Sequence, residues 1–495
     1  MSPRSHQSPH SPQSLHLRRL WPLAAVLMLA ACAAVGPDYK RPETALDPSF
    51  IGASNTDPVP NISDFWRGFG DAKLNALIER ALAANGDVKL AQARLQEARA
   101  GQDEAGAAFL PGVDLNTSAT QAIQPITLRP GATREARTGD TYDASFIANW
   151  ELDLFGRLRR GSEAANARAG ASVASLAAAK TSVSAEVARN YLELRGLQQR
   201  LDFTKGALVN QRETLKFTQV RVENGRGTPL DLARARTLVA STEAALPALQ
   251  ASIERTVFRI AALTAQPPRL LLQELAAPAP LPSLPVTDLS KLPVGVPEQW
   301  LQRRPDLIAA ERQLAAATAG IGIARSALYP RLSVSGLLGF NAGSIGNLVS
   351  GDSARYSLGA NLAWSPFDLG QIRARIRGSE ARAQQGLVSF ENAVTLALEE
   401  VEGAFSSFTR SAQREDRLDV ATRNSNEAAR LSRLRYDAGV TDFLSVLDAE
   451  RELLLQRDQL IQAQVGTATA LVAVYRSLGG GWSAGERAGV DQTAR

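Results

Sequence analysis

The sequence predicts an α+β membrane protein in which each chain carries long helices and four short strands, arranged as two tandem repeats. Residues 157–223 and 371–437 contain no proline, and each is long enough for a helix of ~100 Å. Four segments of about ten residues alternate apolar and polar side chains, which is typical of a transmembrane β-barrel wall. The same order of helices and strands occurs twice along the chain.

The repeat is visible as an ordered series of matches between the two halves. Leu82–Ala91 aligns with Leu301–Ala310, and later matches follow at a slightly shorter but constant separation. These later pairs are Trp150 with Trp364, Gly156 with Gly370, and Gly225 with Gly439. Chance similarity between alanine-rich helices would not keep this order, so we expect two structural halves.

Each repeat is predicted to contain a helix, two strands, a long helix and a return helix. The elements are 71–108, 113–122, 141–151, 157–223 and 229–264 in the first repeat, and 297–327, 331–341, 356–366, 371–437 and 442–477 in the second. Apolar residues of the first long helix fall seven apart, which predicts a coiled-coil seam. The seam residues are Val187, Leu194, Leu201, Leu208, Leu215 and Val222. A free-standing dimeric coiled coil would share this seam, but it would not contain the strands.

The N-terminus has the pattern of an export and lipidation signal. Arg18 and Arg19 precede an apolar run, Leu20–Ala31, which is too short to span a bilayer and ends at Cys32. Leu-Ala-Ala-Cys looks like a bacterial lipobox, in which the cysteine sulfur receives a diacylglycerol. Ala33 at the next position, by resemblance to bacterial lipoproteins, favours the outer membrane. An ordinary signal peptide with an incidental cysteine is the alternative.

These signals divide the chain into six segments. Eight prolines between residues 267 and 297 predict an extended linker between the repeats. The segments are a signal peptide (1–31), a lipidated N-terminal segment (32–70), the first repeat (71–266), the proline-rich linker (267–296), the second repeat (297–478) and a C-terminal tail (479–495).

The composition excludes several classes of function. All three histidines and both methionines precede Cys32, which is the single cysteine of the chain. A mature chain beginning at Cys32 would lack His-ligated metal sites, Cys/His zinc sites, Ser-His-Asp triads and disulfides. Its net charge would be only +2, since three arginines are removed from a total of +5, and this is too weak to suggest nucleic-acid binding. We expect no enzyme activity, no metal and no cofactor other than the covalent lipid on Cys32.

The strands favour a barrel assembled from several chains. Four strands cannot close a barrel, and eight strands from two chains would enclose an interior filled by side chains. Twelve strands from three chains would leave a water-filled pore, so a conduit requires at least a trimer. The long connections, about 123–140 and 342–355, would face outside, and the helices would project into the periplasm. The alternative is a one-sided sheet packed in water.

Motifs along nearly the whole mature chain resemble one family. They are Val35–Pro42, Phe65–Asp71, Trp150–Gly156, Arg303–Asp306, Arg435–Gly439, Val446–Ala449 and Leu478–Trp482. This series is similar to the outer membrane factor family, the TolC-like channels, and specifically to their lipoprotein (NodT/OprM-type) branch. The resemblance implies a trimeric twelve-stranded β-barrel continued by a periplasmic α-helical barrel. It also implies docking with a periplasmic adaptor protein and, through it, with an inner-membrane RND-type pump.

The turns between long and return helices are the predicted contact points for the adaptor. Gly225 and Gly439 suit the ends of the incoming helices, where a positive φ favours glycine. Thr228 and Asp231 have the spacing of an N-cap and its capping-box partner. By the resemblance, these four residues and Thr441 meet the adaptor; well-capped turns without a partner are the plainer interpretation.

The predicted periplasmic gate lies just beyond the second turn. Leu444, Asp448 and Arg451 occupy one helix face at i, i+4 and i+7. The family places a leucine, an aspartate and an arginine at matching positions, where three copies narrow the closed channel. Thr441 and Ser445 stand where TolC itself carries an arginine and a second aspartate, so its salt-bridge latch does not transfer. A solvated helix face is the alternative.

The function expected from these features is passive export through the outer membrane. The chain would be a lipid-anchored outer-membrane channel that carries small molecules, such as drugs and toxicants, from an inner-membrane pump. A type I protein-secretion channel is an alternative within the same family. A lipid-anchored periplasmic coiled-coil stalk or enzyme is an alternative from a different class.

Overall fold

The computed structural model describes residues 34–52, 57 and 62–482. The predicted signal peptide, Cys32 and most of the predicted C-terminal tail lie outside these residues. The helices are α1 (Ala72–Ala84), α2 (Gly86–Ala107), α3 (Arg134–Arg137), α4 (Arg157–Glu223), α5 (Pro229–Leu263), α6 (Pro268–Glu274), α7 (Pro297–Leu301), α8 (Pro305–Ser326), α9 (Leu369–Asp437) and α10 (Phe443–Ser477). The strands are β1 (Gly112–Ile123), β2 (Thr138–Leu152), β3 (Arg331–Ala342) and β4 (Ala354–Ala363).

The four strands form one antiparallel sheet in the order β1-β2-β3-β4. One row across the sheet consists of Leu115, Phe146, Leu338 and Tyr356, and each of these side chains is exposed in the single chain. Since successive side chains of a strand point to opposite faces, this row belongs to an apolar face of the sheet. The apolar face is the surface that a membrane would cover.

The opposite face of the sheet is mostly polar, with Ile147 and Leu337 as an apolar pair on it. The neighbouring row consists of Asn116, Ser145, Gly339 and Arg355. A sheet with one apolar and one polar face has the alternation of a barrel wall, with lipid outside and water inside. β1 and β4 are the edge strands of the sheet in one chain.

Two tryptophans fix the ends of the strand pairs in the same way. Trp150 Nε1 donates to the Phe109 carbonyl at 2.8 Å, and Trp364 Nε1 donates to the Leu328 carbonyl at 3.1 Å. The two tryptophans are equivalent positions of the two repeats, and so each repeat makes the same bond. The strand predicted over 356–366 ends earlier, at Ala363, and Trp364 follows it.

The long helices agree with their predicted bounds within a few residues. α4 has 67 residues and α9 has 69, so each is about 100 Å long. α4 packs against α5, and α9 packs against α10, which gives two antiparallel hairpins in one chain. The seam residues of α4 are buried or half-buried.

Among the described residues, none of the helices combines the length and the apolar character needed to cross a membrane.

The helix predicted over 71–108 is two helices, because Asn85 interrupts it. Asn85 ends α1 and caps α2, and its side-chain oxygen accepts hydrogen bonds from the amides of Asp87 and Val88 at 2.8 and 3.3 Å. Its side-chain nitrogen donates to the Leu263 carbonyl at the end of α5, at 2.9 Å. One buried asparagine therefore supplies hydrogen-bond partners both to the amides at the start of α2 and to a carbonyl at the end of α5.

Prolines account for two further differences from prediction. The helix predicted over 297–327 is interrupted after Leu301, and Pro305 begins α8. The linker, predicted as extended, contains the short helix α6, which begins at Pro268. Proline has no amide hydrogen and a fixed φ, so it ends one helix but is favoured as the first residue of the next.

In each repeat an equivalent ion pair joins the long helix to the return helix. Glu186 of α4 pairs with Arg259 of α5, and Glu400 of α9 pairs with Arg476 of α10. In the second repeat Arg304 also binds Glu400, at 2.7 Å. Burial opposes the ionisation of Glu400, but the bonds from both arginines hold the pKa of this carboxyl below its usual range.

The main apolar core surrounds the middle of the long helices. Trp300 is 2% exposed, and its Nε1 donates to the Ser477 carbonyl at 2.8 Å. Phe50 contacts this tryptophan and Phe405 edge-on, with ring centroids 6.0 and 5.4 Å apart. The core thus joins the N-terminal segment to the second repeat.

Residues 34–52, here called the strap, run along the helices from the sheet to this core. At the sheet, the Val35 amide donates to the Phe155 carbonyl just past β2, at 3.1 Å. The buried Arg160 donates to the Val35 carbonyl at 3.2 Å and to Asp38 at 2.7 Å. The first described residues of the chain therefore lie at the junction of sheet and helices.

The far part of the strap is held by residues of the second repeat. The Tyr39 hydroxyl donates to Glu311 of α8 at 2.5 Å. Glu402 of α9 accepts hydrogen bonds from the amides of Ile51 and Gly52 at 2.7 and 3.0 Å. The strap therefore bonds to residues that lie in the other half of the sequence.

Candidate gate and docking tips

Both long helices end in the same glycine-containing turn. Gly225 has a φ of +70° and Gly439 a φ of +73°, so both adopt the left-handed conformation that favours glycine. After each glycine, the next amide bonds back to the carbonyl of Arg221 or Arg435, at 2.8 and 2.9 Å respectively. This is the Schellman arrangement, and it satisfies carbonyls that the helix end would leave free.

The return helices begin at capped residues. Thr228 and Asp231 form a capping box, with the Asp231 amide 3.2 Å from the Thr228 hydroxyl. In the second turn Asp442 is the cap and accepts from both the amide and the hydroxyl of Ser445, at 3.2 and 2.8 Å. These bonds hold the pKa of the Asp442 carboxyl below its usual range. Thr441 precedes this cap, and its hydroxyl has no hydrogen-bond partner among the described residues.

An aromatic cluster joins the two turns of one chain. The Arg221 guanidinium lies 4.6 Å from the ring centroid of Tyr436 and donates to its carbonyl at 3.3 Å. Phe217 and Phe443 contact the same ring, with centroids 6.1 and 5.6 Å away. The cluster holds the end of α4 against the end of α9 and the start of α10.

The three predicted gate residues lie together on the outside of α10. Leu444, Asp448 and Arg451 are all exposed in the single chain, whereas Val446 and Leu447 are buried on the opposite side. Asp448 forms no ion pair or hydrogen bond within the described part of the chain. The structure therefore presents an aligned leucine, carboxylate and guanidinium on a surface that the rest of the chain leaves open.

Arg451 also borders a groove between the hairpins. The groove has a volume of about 540 Å³ and lies between α4, α5 and α10. Inside it, Arg200 of α4 pairs with Asp458 of α10 at 2.6 Å. Glu450, two residues beyond Asp448, is buried and paired with Arg433. Glu452 accepts a hydrogen bond from Gln456 at 2.7 Å, so within the residues that the structure describes Asp448 is the acid of this stretch with neither an ion pair nor a hydrogen bond.

The aromatic cluster was not predicted from the sequence. Phe217, Tyr436 and Phe443 are individually typical of apolar helix positions, and nothing in their spacing connects the first turn with the second. The match of Gly225 with Gly439 between the repeats was the available signal that the two turns are equivalent.

The chain matches a model of the family described as outer membrane efflux protein. The match covers residues 77–266 and 296–480, one segment in each predicted repeat. Members of this family are channels rather than enzymes.

Curated relatives match over almost their whole length. The chain is 31% identical to the pyoverdine export outer membrane protein OpmQ of Pseudomonas putida, over 94% of this chain and 98% of the relative. It is 31% identical to the outer membrane protein OprJ of Pseudomonas aeruginosa, over 94% and 96%. It is 30% identical to nodulation protein T of Rhizobium leguminosarum bv. trifolii, over 94% and 97%.

Solved structures share the fold. The outer-membrane channel OprN superposes with a TM-score of 0.84 at 40% identity, over 91% of this chain and 100% of that chain. The open state of the Neisseria gonorrhoeae MtrE outer membrane channel gives a TM-score of 0.80 at 28% identity, over 91% and 98%.

These comparisons confirm the predicted fold class, a trimeric twelve-stranded β-barrel with four strands per chain, continued by a long α-helical barrel. They also confirm the outer membrane as its location. The chain belongs to the outer membrane efflux protein family, and it is an outer-membrane channel component of an efflux system.

Proposed function

We propose that the trimer is a passive conduit that receives small molecules from a periplasmic adaptor and an RND-type inner-membrane pump. The observation that carries this proposal is the pair of capped turns at the far ends of two helical hairpins, each about 100 Å from the barrel strands. An adaptor that contacts both turns of three chains would seal the tube without any chemistry by this chain. The energy for export would come from the pump.

Relatives favour small molecules over secreted proteins as the cargo. SrpC and TtgI, both 29% identical to this chain, are named for solvent and toluene efflux pumps. We therefore place this channel in small-molecule efflux rather than in type I protein secretion.

The tips are the proposed adaptor contacts. Leu230, at the start of α5, and Val440, in the second turn, are 56% and 65% exposed, and they lie two residues from the cap residues Thr228 and Asp442. Exposed apolar side chains beside rigid caps present a small, fixed surface to a partner. The caps and the Schellman glycines, Gly225 and Gly439, would hold the backbone of this surface in one conformation.

The gate is the proposed role of Leu444, Asp448 and Arg451. In a trimer, three copies of this exposed face would meet at the narrow end of the helical tube. Leu444 would narrow the passage, and three Asp448 carboxylates would attract cations where little water screens them. Arg451 would offset part of the repulsion between the acids.

Lipidation of Cys32 is proposed as a second membrane anchor. Val35 is bonded to Phe155 beside the end of β2, and Cys32 is only three residues away, a reach of about 10 Å. A diacylglycerol on this cysteine would therefore enter the membrane next to the barrel and add to its hold.

A crosslinking experiment tests the adaptor proposal. A photo-crosslinking amino acid at Leu230 or Val440 should capture a periplasmic adaptor protein in living cells. The matched control is Ile345, which is 73% exposed in the connection between β3 and β4, at the opposite end of the molecule. Capture from Ile345 but not from the tips would contradict the proposed orientation and contact.

A further inference from the structure

The polar face of the sheet contains an ion pair that spans three strands. Asp143 of β2 pairs with Arg355 of β4. Asp143 also accepts from the Ser145 hydroxyl at 2.8 Å and from the Asn341 side chain at 3.1 Å. Its side chain is only 12% exposed, although the sheet has a single layer. The carboxylate is therefore fully engaged by groups of the polar face.

A glycine in the intervening strand accommodates this pair. Gly339 of β3 lies directly opposite both Ser145 and Arg355 in the register. A Cβ at this position would lie 2.4 Å from the Ala144 carbonyl oxygen, so no side chain fits there. The Arg355 side chain crosses β3 beside this bare position to reach Asp143.

The pair lies near the extracellular end of the sheet. The ladder between β3 and β4 ends at Phe340 and Ala354, one residue before Arg355. The helices leave from the other ends of the strands. In a twelve-stranded barrel with its apolar face toward lipid, the pair therefore lines the lumen close to the exit.

We propose that Asp143 and Arg355 neutralise each other on the lumenal wall, so that this level of the channel does not select solutes by the sign of their charge. Three such pairs occur in the trimer. Either residue alone would place a ring of three like charges near the exit. The proposal rests on the channel function given above, and it names two residues whose mutual neutralisation keeps the exit of the channel from selecting solutes by charge.

The test measures the local potential beside the pair. Ser357 lies two residues from Arg355 on the same face, about 7 Å along the strand. Ser357→Cys should react, on intact cells, with both cationic and anionic methanethiosulfonate reagents of similar size. The ratio of the cationic to the anionic labelling rate then reports the local charge. The parent chain without Ser357→Cys provides the blank, because Cys32 is its single cysteine.

The charge variants should move this ratio in opposite directions. In the Ser357→Cys background, Arg355→Gln should raise the ratio about two- to fivefold, since it leaves an uncompensated carboxylate nearby. Asp143→Asn should lower it by a similar factor. The double variant, and the exchange of Asp143→Arg with Arg355→Asp, should restore the starting ratio. A contribution to barrel stability alone would not produce opposite shifts.

Defined outcomes overturn the proposal. Equal ratios in all variants, or shifts of one sign in both single variants, would show that the pair does not set the local charge. If a single variant fails to reach the surface as a heat-stable trimer, the exchange variant must still give the parental ratio. Leu358→Cys, on the apolar face, should resist both reagents. Labelling at Leu358 and not at Ser357 would show that the apolar face, and not the polar face, lines the lumen. An absence of conductance would instead contradict the channel function.

Discussion

The guanidinium of Arg221 lies 4.6 Å from the ring centroid of Tyr436, and these two residues belong to different repeats of the chain. The contact crosses from the first hairpin to the second at the end where the gate is proposed. A cation–π contact of this kind contributes roughly 0.5–2 kcal/mol. This arginine therefore contributes, together with the Phe217–Tyr436 contact, to the relative position of the two hairpins at the tip.

Arg221→Gln should make the closed tip less stable. The substitution removes the cation above the ring and weakens the bond to the Tyr436 carbonyl, so the channel should open more often in planar bilayers. Tyr436→Phe is the matched control, because it keeps the ring and the carbonyl. An open probability unchanged in Arg221→Gln would mean that the contact does not hold the tip closed.

Asp448→Ala and Leu444→Ala should separate charge from size at the gate. Asp448→Ala removes three carboxylates, so it should weaken cation selectivity and block by divalent cations while raising conductance only modestly. Leu444→Ala should widen the passage and change selectivity little. Both are measured by single-channel recording in a salt gradient. If Asp448→Ala leaves selectivity and divalent block as they were, this residue faces the outside of the tube.

Glu274→Gln should change how stability depends on pH. Hydrogen bonds from Arg80 and Lys73 lower the pKa of Glu274 to about 2, from an ordinary value near 4.5. A carboxyl whose pKa is lower in the folded chain than in the unfolded chain stabilises the fold at pH values above the unfolded-state pKa. This stabilisation is lost as the pH falls from about 4.5 to 2. The variant should melt at a lower temperature than the parent at pH 7, and the difference should shrink toward pH 2.

The matched control for this prediction is Glu79→Gln. Glu79 pairs with Arg67 at 3.4 Å, and both side chains are about 60% exposed. An exposed pair of this geometry adds little to stability, so its removal should leave the melting temperature nearly unchanged at both pH values. Equal effects of the two variants would show that the pair between Arg80 and Glu274 has no special role in holding α6.

Cys32→Ala should abolish lipid attachment without destroying the channel. The apolar face of the sheet supplies membrane affinity of its own, and acyl chains add ~0.8 kcal/mol per buried CH₂ group. Cells grown with radiolabelled palmitate should label the parent and not the variant. A labelled variant would place the lipid on another residue.

Gly439→Ala should destabilise the second tip, and Gly403→Ala should not. Gly439 has a left-handed conformation that costs an alanine about 1 kcal/mol or more. Gly403 lies inside α9 with open space around it, where alanine is favoured over glycine. Thermal unfolding of the purified variants should therefore move in opposite directions.

The long helices, the strands and the tip caps could be predicted because their signals are local. The proline-free segments, the alternation of side chains and the Thr228 to Asp231 spacing each act within a few residues. Asn85-Gly86 and Arg304-Pro305 were also local signals for helix breaks, yet the surrounding apolar pattern continues through both. Pro268 suggested an extended linker, although the same residue also favours a helix start.

The contacts between helices could not be predicted in this way. Arg221 reaches Tyr436, and Arg304 reaches Glu400, across 215 and 96 residues of sequence. Many arginines of this chain could pair with many acids at such separations. Only the packed arrangement of the two repeats selects among them.

The strap has a consequence for the order in which the chain matures. Its residues are synthesised before either repeat, yet Tyr39 and Ile51 bind Glu311 and Glu402, which follow 272 and 351 residues later. The docking surface for the far part of the strap does not exist until the chain through Glu402 has been made and packed. The far part of the strap must therefore stay undocked while the first repeat is synthesised, and its docking requires that α8 and α9 have folded.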